Sequence, residues 1–126
     1  MAAVRNYLAT EMSRILGPDK ELLEAVMERR EGSDYDFSGE LLEQVLLRAA
    51  ERDARTPVAL SMLFLSPGRH AGPGGDIEAI CRQVRERHPG WPVLISGLIG
   101  GHQGLIRILH DRLRSGLEHS TQVTHP

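Results

Sequence analysis

The residues able to do chemistry gather in two glycine-containing turns. The first is Phe64-Leu65-Ser66-Pro67-Gly68-Arg69-His70, with Asp76-Ile77 a few positions on. A guanidinium beside an imidazole can receive a carboxylate and can hold a metal or move a proton near neutral pH, where imidazole ordinarily titrates (about 6.5). The second turn is Gly97-Leu98-Ile99-Gly100-Gly101-His102-Gln103-Gly104. Exposed backbone N–H groups where such a turn opens a helix suit a carboxylate or phosphate. It has neither the G-x-G-x-x-G order nor a Gly-Lys-Ser/Thr, so it does not specify a nucleotide.

Each candidate has a plainer reading beside the chemical one. A turn is also where surface histidines sit, and His102 reads equally as the start of a surface helix. The glycines alone serve tight strand-to-helix packing. Asp76 reads first as a helix N-cap, and Arg69 as either a solvated turn residue or a clamp for an acidic substrate. His88, ahead of Pro89, suits a helix end, and His110, His119 and His125 read as solvated. None of them has metal-ligand spacing with Cys81, which argues against a zinc site. Ser61 and Ser66 lack a base with a partner carboxylate, so nucleophilic hydrolysis has no support.

The elements that must position these turns follow from hydrophobic spacing. Val58 to Leu65, interrupted only by Ser61, predicts a strand over about 58–66 that is buried on both faces, as in a parallel sheet. Ile77, Ile80, Cys81, Val84 and His88 share one face of a following helix, which Pro89-Gly90 ends. Val93 to Ile99 predicts a second strand, and Leu105, Ile106, Leu109 and Leu113 the buried face of a helix from about His102 to Leu117. Two consecutive strand–turn–helix units imply parallel strands with right-handed crossovers, so both histidine turns fall on one edge of the sheet. His70 and His102 are then expected to face one crevice beyond the strand ends, where ligands bind in open α/β sheets. Upstream, helices are predicted over Ala2–Leu16, from Asp19 with Leu22, Leu23, Val26 and Met27 inward, and from a Ser38 cap with Leu41, Leu42, Val45, Leu46 and Ala49 inward. Tyr35 and Phe37 would pin the loop between the last two.

Size and charge exclude several classes. A chain of 126 residues is one domain, expected over 1–117, with a flexible polar tail over 118–126. A net charge of −2, with Lys20 the sole lysine among scattered arginines, gives no footprint for nucleic acid or an anionic membrane. No apolar run reaches the roughly eighteen residues of a membrane span. The lone Cys81 cannot form an internal disulfide, which suits a reducing compartment or mere indifference to redox setting.

The heptapeptide from Phe64 to His70 with its following Asp76-Ile77 resembles the sirohydrochlorin chelatase family, the class II chelatases of siroheme and cobalamin biosynthesis. The resemblance continues through Gly101-His102 to Asp111-Arg112-Leu113, and it is to the plant and cyanobacterial ferrochelatase type. It implies a Rossmann-like three-layer α/β fold, with a small, mostly parallel sheet flanked by helices. It further implies a homodimer holding a tetrapyrrole, sirohydrochlorin, in a cleft, in the cytoplasm or, in a photosynthetic eukaryote, the plastid stroma. His70 would be the catalytic base and a metal ligand, His102 a second metal ligand, and Gly68, Arg69, Gly101 and His102 the substrate-binding groups. The divalent metal, Fe²⁺ or Co²⁺, would be a substrate. No organic cofactor is implied, and no iron–sulfur cluster, because the cysteine-rich tail of some plant members is absent. The family pairs its histidine with another in a His-Gly-Ser turn after an N-terminal strand. No histidine precedes His70 here, and Ala2–Leu16 resembles the helix that follows that strand, so the first strand is expected to be missing. Two further readings stand beside insertion: a catalytically incompetent relative that binds tetrapyrrole or metal or pairs with a complete subunit, and an unrelated anion-binding α/β module.

Overall fold

The structure, a computed structural model, describes residues 2–28, 32, 34 and 39–123. In chain order it has α1 (Ala2–Leu16), α2 (Leu42–Arg52), β1 (Val58–Leu60), α3 (Asp76–Arg87), β2 (Val93–Ile95), a 3₁₀ turn (Ile99–Gly101) and α4 (Gln103–Val123). The two strands pair in parallel, with Val58 opposite Val93, Ala59 opposite Leu94 and Leu60 opposite Ile95. This is a small α/β fold in which α3 is the crossover between adjacent strands, as two strand–turn–helix units require.

The core lies on one face of this sheet. α2 forms because Leu42, Val45, Leu46 and Ala50 recur at helical spacing, and all four are buried. α3 buries Ile77, Cys81 and Val84 against them, with Val58, Leu60, Val93 and Ile95 below. Trp91 fills the gap beside β2, and its indole N–H donates to the Thr56 carbonyl at 2.8 Å, tying the α3–β2 connection to the α2–β1 connection. α2 closes at Asp53, whose carboxylate accepts from the backbone N–H groups of Arg55 and Thr56 and from the Thr56 hydroxyl. Those bonds to the ionised form hold the Asp53 carboxyl below its ordinary 3.8.

The strands are shorter than the apolar runs predict. The ladder stops at Leu60 and Ile95, because the Met62 N–H donates to the Ser96 hydroxyl instead of a backbone carbonyl. The two runs nevertheless stay together: Ser96, Ile99 and Gly100 donate their N–H groups to Leu60, Phe64 and Leu65. Nor is the sheet buried on both faces. Ala59 and Leu94, facing away from the core, are exposed, as are Leu63 and Leu65.

Three further expectations need correction. The helix expected from Asp19 does not form. After Gly17, which takes φ +90°, residues 21–25 form no regular element and Val26 bridges Leu41, just ahead of α2. Val26 donates to the Glu40 carbonyl at 2.8 Å and accepts from the Leu42 N–H at 3.0 Å. These long-range bonds, with Ala25 and Met27 packed on the core, override a local spacing that suits a helix equally well. The apolar stripe of α4 is not buried: Ile106, Leu109 and Leu113 are exposed. Periodicity marks a face, but it does not supply the element that covers it. The backbone of α4 also stays helical to Val123, past the expected end at Leu117. α1 likewise forms as predicted but buries none of its side chains. Tyr35, Phe37 and the proposed Ser38 cap lie outside the described residues.

Candidate functional site

The first turn closes on itself through its main chain. Gly68 N–H donates to the Ala71 carbonyl at 2.9 Å, Asp76 N–H to Arg69 at 3.0 Å and Ile77 N–H to His70 at 2.9 Å. Gly75 is required here, because a Cβ at that position would lie 2.9 Å from the His70 carbonyl oxygen. The closure carries the His70 imidazole back over the start of α3, with the Phe64 ring 6.1 Å away between centroids.

Both ring nitrogens of His70 face carboxylates. Nδ1 lies 3.0 Å from Asp76 Oδ2 and Nε2 lies 3.5 Å from Glu28 Oε1. Arg69 spans the same pair, 3.5 Å from Glu28 and 3.8 Å from Asp76. The imidazole is 23 % exposed and the Arg69 side chain 79 %, so the ring is sheltered while the ion-paired guanidinium is open to solvent. Asp76 is not the expected N-cap. That position belongs to Gly75, and Asp76, the first residue of α3, turns its carboxylate to His70. Glu28 is a residue that sequence reading missed. It lies on the segment whose spacing predicts a helix, and the Val26 bridge, distant in sequence, brings it to the turn.

Two ligands each about 2.1 Å from a shared ion, with an angle near tetrahedral, stand about 3.4 Å apart. The 3.5 Å between His70 Nε2 and Glu28 Oε1 matches that separation. Among the described residues no group of three or more His, Cys, Asp or Glu side chains converges on one point. A two-ligand site leaves most of the coordination sphere to water or substrate, which suits a metal in transit.

The second turn abuts the first without joining it. Gly100 is placed against the Leu65 carbonyl, to which it donates at 2.7 Å, and a Cβ there would collide with that oxygen. Gly101 donates to Leu98 and leaves open space around its Cα. His102 caps α4: the Gly104 N–H donates to its Nδ1 at 2.9 Å. The structure thus gives His102 Nδ1 a capping role at the start of α4. No hydrogen bond, ion pair or ring contact among the described residues joins it to the His70 cluster.

An open groove lies between the loop after β1 and the loop after β2, lined by Met62, Pro73, Ile77, Ile95 and Leu98. Its polar groups are engaged within the protein: Glu78 accepts from the Gly74 N–H, Arg85 donates to the Val93 carbonyl, and Ser96 accepts from Met62. Neither histidine lines it. Cys81 is fully buried in the core, and burial pushes its thiol above the ordinary range, which makes it inert as a ligand.

With that geometry in place, comparison with known proteins gives one finding. The profile of the CbiX family matches residues 35–116, more than half of the chain. The chain belongs to the CbiX family. That family comprises metal chelatases of the sirohydrochlorin type, which act on tetrapyrroles and take a divalent metal as substrate. The matched span contains both turns and the core between them, while Glu28 lies upstream of it. No curated protein and no solved structure matches the chain. No helix among the described residues is long and apolar enough to cross a membrane.

Proposed function

We propose that this CbiX-family chain inserts Fe²⁺ or Co²⁺ into sirohydrochlorin, with His70 and Glu28 presenting the metal and Arg69 receiving a substrate carboxylate. The observation that carries the reading is the imidazole nitrogen and carboxylate oxygen 3.5 Å apart at the mouth of the Arg69-His70 turn. Insertion replaces two pyrrole N–H protons by one M²⁺, so two protons must leave for each metal delivered. His70 Nε2 and the Glu28 carboxylate each lose a ligand bond when the metal departs, and each then has a lone pair for one of those protons. Arg69 stands beside the Glu28 and Asp76 carboxylates, and a carboxylate of the multiply anionic macrocycle can replace either of them as its partner.

The test is metal insertion followed by the change in tetrapyrrole absorbance. His70→Ala should lower the rate by about 10²–10⁴-fold, the usual contribution of a general base, with folding retained. Glu28→Gln should lower it as well, because the amide neither balances the metal charge nor accepts a proton. Tetrapyrrole binding by the wild type with no insertion of either metal would reject the enzyme reading in favour of a binding-only relative. Wild-type rates in Glu28→Gln would remove that residue from the mechanism.

A further inference from the structure

We infer that Asp76 is a positioning residue for His70: it holds the ring in the tautomer protonated on Nδ1, so that the Nε2 lone pair is the one turned toward Glu28. The inference rests on the reading of His70 Nε2 as the metal-presenting atom. Distance decides between the two carboxylates. Asp76 Oδ2 is within hydrogen-bond range of Nδ1 at 3.0 Å, whereas Glu28 Oε1, at 3.5 Å, is beyond it for Nε2. An ionised carboxylate only accepts, so a neutral His70 places its single proton on Nδ1 and donates it to Asp76. Nε2 is then bare and aimed at the gap beside Glu28.

The main chain fixes both partners in this relation. Asp76 N–H is bonded to the Arg69 carbonyl and Ile77 N–H to that of His70, so the residues preceding and carrying the imidazole are strapped to the residues carrying and following the carboxylate. A helix-start role alone would leave Asp76 facing solvent or the first turn of α3, with no preference for one imidazole tautomer. A metal-binding histidine whose other nitrogen donates to a carboxylate is both oriented and made more basic, and loss of such a partner typically weakens metal affinity about 10–100-fold.

The experiment reads the tautomer without turnover. A long-range ¹H–¹⁵N spectrum at about pH 8.5, above the ordinary titration of imidazole, separates protonated from bare ring nitrogens. Wild-type His70 is expected to show a protonated Nδ1 and a bare Nε2, the reverse of the preference of a histidine side chain free in water. Asp76→Asn, whose amide can donate as well as accept, is expected to abolish that preference and to weaken Co²⁺ binding, measured without tetrapyrrole, by about 10–100-fold. A wild-type ring protonated on Nε2 would overturn the inference with no variant needed. So would an Asp76→Asn protein with an unchanged tautomer, or one with an altered tautomer and undiminished Co²⁺ affinity. A chain that shows the expected tautomer and metal effect but no insertion would retain the Asp76 role and lose only the chelatase reading.

Discussion

Leu46 and Leu109 are chemically identical residues at matching points of two helical stripes, and the structure assigns them opposite environments. Leu46 is 2 % exposed between α2, α3 and the sheet, whereas Leu109 on α4 is 56 % exposed. Leu46→Ala removes three carbons from a closed site. At about 0.8 kcal/mol per buried methylene the transfer loss is about 2.4 kcal/mol. The unfilled cavity adds to this, so the total should lie at about 3–4 kcal/mol, inside the usual span for a core Leu→Ala change. Against a whole-domain stability of about 5–15 kcal/mol, that is a large fraction. Leu109→Ala should cost no more than about 0.5 kcal/mol, as for other surface changes. Trp91, the sole tryptophan and 4 % exposed, reports unfolding of this core by fluorescence in urea. The midpoint of Leu46→Ala should fall with the slope unchanged. A loss below about 1 kcal/mol for Leu46→Ala would refute the packing of α2 against α3. A comparable loss for both variants would refute the exposed setting of the α4 face.

Two more perturbations follow from local geometry. The folded-state carboxyl of Asp53 is held below 3.8 by its bonds to Arg55 and Thr56, so its contribution is complete above that value and disappears as pH falls through the lower folded one. The stability gap between wild type and Asp53→Asn should therefore be flat from about pH 7 to 5 and shrink in more acid urea titrations; a gap that widens on acidification contradicts the assignment. Gly100→Ala should destabilise by about 1–3 kcal/mol through its collision with the Leu65 carbonyl, while Gly101→Ala, with nothing within 4 Å of the new carbon, should be close to neutral. Equal melting temperatures for the two would show that the turns do not meet as described.

The turns and their supporting elements were legible because their signals are local. Pro67-Gly68 and Gly100-Gly101 stop apolar runs, Ile77, Cys81 and Val84 repeat at helical spacing, and two such units dictate parallel strands. What was not legible depends on partners distant in sequence. Leu22, Leu23, Val26 and Met27 fit a helix, yet the bonds of Val26 to Glu40 and Leu42 and the packing of Ala25 and Met27 hold the segment out of one. Ile106, Leu109 and Leu113 fit a buried stripe, yet the pattern carries no information about what lies opposite. His102 looked like a twin of His70 because both sit in a glycine-containing turn after an apolar run. Its Nδ1, unlike that of His70, is consumed by the Gly104 N–H, a distinction of ring orientation that no spacing encodes.

The two carboxylates at His70 are held by means of very different reach, and this bears on how a metal could be both held and released. Asp76 lies in the same closed turn as His70, tied by adjacent main-chain bonds, so the ring orientation survives any movement that leaves the turn intact. Glu28 arrives on a separate segment tied to the body by the Val26 bridge, the packing of Ala25 and Met27 and the Arg52–Glu21 ion pair, and to the turn through the exposed pair with Arg69. A displacement of that segment would open the His70–Glu28 gap while the Nε2 lone pair keeps its aim. Retention of a divalent ion needs both ligands, whereas delivery to a macrocycle needs one of them to let go first. In the proposed chelatase, a fixed imidazole facing a carboxylate on a separately held segment would meet both requirements, which a rigid cage of three or four side chains would not.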